Sequence, residues 1–122
     1  MKLNKNILAL AYLGDSVYEV YVREHLLKSY AKVNTLQKEA IKYVSAKGQA
    51  NIVDKLISLN LLTEEELDVF YRGRNSKCNS KPKNTDIITY KHATGFEALI
   101  GYLYLSNKKD KLEEIIKFCL EG

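Results

Sequence analysis

A chain of 122 residues with 46% hydrophobic residues has the size of one domain with its own core, and is small enough to gain from pairing with a second copy. Its net charge of +4 is only a mild pull toward an anionic partner. Two cysteines far apart, Cys78 and Cys119, have neither metal-ligand nor redox spacing; this excludes a disulfide scaffold and fits a reduced protein better than a single disulfide.

Lys2 and Lys5 ahead of Ile7-Leu8-Ala9-Leu10-Ala11 imitate the start of a signal peptide. Asp15 cuts the run and no convincing cleavage site follows. No stretch approaches the roughly 18 apolar residues of a membrane span, so a cytoplasmic chain with no membrane partner is expected. Residues 5 to 13 read as a short, nearly all-apolar helix and 15 to 28 as a second, with Gly14-Asp15 as the junction. A carboxylate there can cap a helix, accepting from the free amides of its first turn. It can equally be a metal ligand, if another acid meets it.

Asn34 with Gln37 has the spacing of a capping box, and a third helix runs from there to about Leu59 with Gly48 as its weak point. Thr63 with Glu66 forms a second such box, and Glu64, Glu65 and Glu66 suit the positive end of a fourth helix that finishes at Arg72-Gly73-Arg74. A loop covers residues 73 to 85. A fifth helix begins near Asp86 and contains the most apolar run, Phe96 to Leu105. A sixth, Lys109 to Leu120, turns Leu112, Ile115, Ile116 and Cys119 inward. No segment alternates with period two and no internal repeat is visible, so the expected fold is all-α.

The loop concentrates the charge. From Arg72 to Asn84 there are five basic residues, Arg72, Arg74, Lys77, Lys81 and Lys83, and no acid; removing these five from the 19 basic residues leaves 14 against 15 acidic ones. The plain reading is a solvated loop. Interleaved with Asn75, Asn79, Ser80 and Asn84, these are also the donors that phosphates and riboses accept from, which points to nucleic acid, double-stranded RNA included.

Glu97 is the second feature, at the edge of a helical stripe of Ala93, Phe96, Ile100 and Leu103. Such a carboxylate needs a cation once buried. Lys91 or Arg23 could supply it; so could a divalent metal shared with Asp15. Thr94, Ala98 and Gly101 make a small-residue face that another helix, the one carrying Asp15 included, could approach closely. Two carboxylates with waters and substrate oxygens suit Mg²⁺. Periodicity alone does not bring the two acids together. Glu19 has Arg23 at i+4 for a helical pair, with an outer-shell or acid role beside Asp15 as the lesser reading. His25 and His92 have no ligand spacing and read as structural or surface residues, with nucleic-acid contact by His92 the lesser alternative.

Leu13-Gly14-Asp15-Ser16-Val17 resembles the signature of the ribonuclease III family, and Phe96 to Gly101 followed by Tyr104-Leu105 resembles its second acidic segment. Leu8 to Asp15, Val44-Ser45-Ala46-Lys47, Arg72 to Asn75 and Pro82 to Asp86 are closer still to its Mini-ribonuclease III branch, which lacks a separate double-stranded-RNA-binding domain. The resemblance implies a helical nuclease domain over residues 1–122 that dimerises through its signature helices. It implies that Asp15 and Glu97 are catalytic and share Mg²⁺, with Mn²⁺ as a substitute. Arg72, Arg74, Asn75, Lys77, Lys81, Lys83 and Asn84 would hold double-stranded RNA, an implied ribosomal precursor. The chain departs from the two-domain members of the family at Ala11 and Thr94, where they carry two further acids. A non-catalytic RNA-binding module on the same fold is therefore the alternative, and a helical protein-interaction domain a second rival.

Overall fold

The computed structural model describes residues 6–76 and 86–121. Six helices follow in order: α1 Ile7–Leu27, α2 Val33–Val44, α3 Ala46–Ser58, α4 Glu64–Arg74, α5 Ile87–Leu105 and α6 Lys109–Glu121, with no strand among the described residues. The all-α expectation holds.

Helix α5 is the axis. Its run from Phe96 to Leu103 is almost wholly apolar and is buried except at Glu97. A helix apolar on every side must be enclosed, and α1, α3, α4 and α6 all pack on it. Tyr18 of α1 meets Phe96 edge to face with ring centroids 5.0 Å apart. The outer helices show the complementary pattern: α6 buries Leu112, Ile115, Ile116 and Cys119, as its periodicity requires.

The ends written in local chemistry form as the sequence specifies. The Thr63 hydroxyl accepts from the Glu66 amide and the Glu66 carboxylate accepts from the Thr63 amide, closing the capping box of α4. Asp86 caps α5 through the Thr89 amide at 2.8 Å. Asn60 and Asn107, both at φ 57°, end α3 and α5. Leu61 donates to the Leu56 carbonyl and Lys108 to the Leu103 carbonyl, the bonds of a left-handed C-terminal cap.

Four boundaries differ from the sequence reading. Residues 7 to 27 form one helix, capped by Asn6, with no junction at Gly14-Asp15. The long third helix is two, broken at Ser45 rather than Gly48: Ser45 is extended and its hydroxyl accepts from the Gly48 amide at 3.1 Å. Gly48 lies inside α3, where a Cβ would crowd the Lys42 carbonyl at the end of α2. The Asn34–Gln37 box does not form, since α2 starts one residue earlier with Lys32 at its cap. Gly73 likewise belongs to α4 and is buried, and Asn75 closes that helix.

Gly14 explains the continuity of α1. A Cβ on Gly14 would strike the Glu97 carbonyl and stand 2.8 Å from the Gly101 amide nitrogen. A Cβ on Gly101 would strike the Leu10 carbonyl and stand 3.2 Å from the Gly14 nitrogen. The glycines therefore serve a backbone-to-backbone crossing, not a turn. On an open helix surface Gly→Ala stabilises by about 1 kcal/mol. At this crossing the sign reverses, and Gly101→Ala should cost about 1–3 kcal/mol by overpacking, read as a lower urea midpoint. A gain in stability would mean that the helices do not touch there.

Candidate acidic site

The crossing brings two acids together. Asp15 follows Gly14 on α1 and Glu97 stands one turn before Gly101 on α5, so both side chains leave from beside the contact. Their carboxyl groups are in hydrogen-bonding contact. Asp15 is exposed and Glu97 is largely buried, which gives the pair one wet and one sheltered side. Asp15 sits in the interior of a helix and caps nothing.

Burial is the main influence on Glu97. With the negative charge of Asp15, the hydrogen bond to it and a smaller push from Glu19, burial drives the Glu97 carboxyl up to about 8. A hydrogen bond from Gln49 acts the other way. None of these groups is a cation. Arg23 pairs with Glu19 at 3.5 Å, as the helical spacing suggests. Glu97 is thus a sheltered acid facing a second acid, and a positive charge placed between them would relieve both burial and repulsion.

Two carboxylates opening to water are the oxygen donors a hard divalent cation such as Mg²⁺ takes, the remainder of its shell being water or substrate oxygen. No cluster of three or more His, Cys, Asp or Glu suited to a metal occurs among the described residues. A dedicated all-protein cage is excluded for those residues, and a two-carboxylate site fits. The positions that depart from the longer family pattern add nothing to it. Ala11 is buried, and the Thr94 hydroxyl donates to the Tyr90 carbonyl at 3.0 Å.

Gln49 is the residue the sequence reading missed. It is 1% exposed, its side-chain nitrogen donates to the Val44 carbonyl at 3.3 Å, and its amide is the neighbour that favours the charged form of Glu97. A signal existed: Gln49, Val53 and Leu56 stand at i, i+4 and i+7, the inward stripe of α3. A polar residue on such a stripe needs a buried partner.

The remaining candidates divide. Arg72 and Asn75 are exposed, and Arg74 lies 4.6 Å over the Tyr71 ring with its Nε donating to Asn75 at 3.0 Å. Lys77, Lys81, Lys83 and Asn84 fall outside the described residues. His92 meets Asp54 at 3.0 Å and His25 meets the Tyr43 ring edge on, so both are held by neighbours rather than by the acid pair.

Residues 8–108 match the Ribonuclease III domain family. The chain is 47% identical over 95% of its length to Mini-ribonuclease 3 of Enterococcus faecalis, covering 89% of that protein. It is 55% identical over 92% of its length to Mini-ribonuclease 3 of Brevibacillus brevis, covering 83% of it. A crystal structure of a Fusobacterium nucleatum protein superposes with a TM-score of 0.88 at 34% identity, with 98% of this chain and 95% of that one covered.

The acid pair makes stability depend on pH in a set direction. Glu97 binds its proton more tightly folded, up to about pH 8, than at its ordinary 4.5. Its neutral form therefore favours the fold below pH 4.5, and that advantage is lost as pH rises through 8. In chelator, the urea midpoint should fall between about pH 5 and 9, and Glu97→Gln should flatten the fall and exceed the parent at pH 9. Parallel curves for the two proteins would place the titration elsewhere.

Proposed function

This chain belongs to the ribonuclease III family, in its Mini-ribonuclease 3 branch, and on that premise we propose that it is a homodimeric, Mg²⁺-dependent nuclease of double-stranded RNA. Family membership makes it an endoribonuclease acting on RNA. The observation that carries the finer reading is the contact between Asp15 and Glu97, two acids from different helices with no ion pair to either among the described residues.

Asp15 and Glu97 would hold the ion and are the proposed catalytic pair. A bound Mg²⁺, or Mn²⁺ in its place, lowers the pKa of a coordinated water and stabilises charge gathering on the phosphate. The exposed Asp15 side admits the RNA backbone, while the buried side keeps Glu97 fixed. Arg72, Arg74, Asn75, Lys77, Lys81, Lys83 and Asn84 are the proposed duplex contacts, acting through phosphates and riboses. By family analogy the products carry 5′-phosphate and 3′-hydroxyl ends with a short 3′ overhang, and a precursor of large-subunit ribosomal RNA is the proposed substrate. Residues 1–122 are read as one nuclease domain. A cytoplasmic setting is part of the same proposal; no helix of the described residues is long and apolar enough to cross a membrane.

The surface beside the acids supports the dimer. Leu8, Tyr12, Val20 and Leu27 are exposed along one side of α1, and Tyr12 is 83% exposed. Val20 shares a cleft with Tyr104 of α5. A stripe of this kind is self-complementary under two-fold symmetry, which would set two acid sites on one surface. Tyr12→Glu should move the protein from dimer to monomer in sedimentation; an unchanged mass would remove α1 from the interface.

Cleavage decides the rest. A folded ribosomal-precursor stem should be cut with Mg²⁺ and left whole in chelator. Asp15→Asn and Glu97→Gln should each lose about 100-fold or more, since metal stabilisation is worth several kcal/mol and each 1.4 kcal/mol is tenfold. Cutting at the parental rate by either variant sinks the assignment. Metal-independent duplex binding with no cutting would make the chain an RNA-binding module instead.

A further inference from the structure

We propose that Gln49 is a positioning residue for Glu97, holding its carboxylate in the orientation the metal requires; this rests on the metal reading above. The Val44 carbonyl can only accept, so the end of the Gln49 side chain facing it at 3.3 Å is the NH₂ group. That group has a second hydrogen free to face the Glu97 carboxyl, and Gln49 is the hydrogen-bonding neighbour that holds Glu97 down against burial and Asp15. The arrangement fixes the amide and leaves its Oε1 fully buried without a partner among the described residues. An unpaired buried amide oxygen disfavours the fold. A Met or Leu on this inward stripe would fill the space with no such penalty, so packing alone does not account for a glutamine here.

The two positions that carry further acids in longer family members give Glu97 no such support. Ala11 has no polar group, and the Thr94 hydroxyl is committed to Tyr90. Glu97 is therefore steered by Asp15 and by Gln49, and only Gln49 is neutral. When a cation occupies the pair, the Gln49 N–H keeps a Glu97 oxygen from turning away. Partners that orient a metal-binding carboxylate from outside the ligand shell typically govern metal affinity by about 10–100-fold.

Mn²⁺ binding to the full chain without RNA, followed by electron paramagnetic resonance, tests this apart from activity. Gln49→Met, near in volume but without the donor, should bind Mn²⁺ about 10–100-fold more weakly. The Mg²⁺ needed for half-maximal cleavage should rise by a similar factor, with KM for RNA unchanged. Parental Mn²⁺ affinity in Gln49→Met or Gln49→Leu, with parental circular dichroism and melting, overturns the proposal. Should both variants misfold, the side-chain NH₂ resonances of Gln49 in the parent decide: they should shift with Mg²⁺, and fixed resonances overturn it. If Asp15→Asn and Glu97→Gln also bind Mn²⁺ like the parent, it is the metal reading itself that falls.

Discussion

The backbone contact between Gly14 and Gly101 is the constraint on which the rest depends. Without a Cβ on either helix, α1 and α5 approach until main chain meets main chain. That closeness lets Asp15, next to Gly14, and Glu97, one turn from Gly101, reach one another. It also lets α1 cover the central helix with Tyr18 and Val22, which are wholly buried. Core and site therefore share one cause. Helix α1 turns Tyr18 and Val22 to the core, Asp15 to the site and Tyr12 to water.

Electrostatics gives the site its character. Most proteins neutralise a sheltered acid with Lys or Arg, because an unpaired buried charge is very unfavourable. Here, among the described residues, the charged groups that act on Glu97 are the acids Asp15 and Glu19, and Arg23 is paired with Glu19. Such an arrangement is a liability that the proposed divalent ion would turn into an asset, and strongly shifted carboxyls of this kind cluster at functional sites. The fold tolerates it because the acids sit at the rim, with Asp15 in water and only Glu97 inside.

The site is thin, and its support is indirect. Two carboxylates, one buried amide and a backbone carbonyl at the end of α2 make up its polar network among the described residues. That amide depends on where α3 begins. Ser45 breaks the chain into two helices and sets the register that turns Gln49 inward. A longer unbroken helix over Asn34 to Leu59 would rotate that stripe, so the corner is part of the site's construction.

The sequence by itself determined what short-range chemistry writes. The all-helical class, the box at Thr63 and Glu66, the start of a helix near Asp86 and the inward face of α6 each depend on a few neighbouring residues, and each formed as read. The two acids were legible as residue types, and a chain-long family resemblance supplied their partnership. Tertiary structure alone decided that Gly14 joins rather than divides a helix, that Ser45 divides what periodicity ran together, and that Gln49 belongs beside Glu97. The physical reason is common to all three. A missing Cβ, an extended serine and a buried amide acquire meaning only from the atoms opposite them, and those atoms lie elsewhere in the chain.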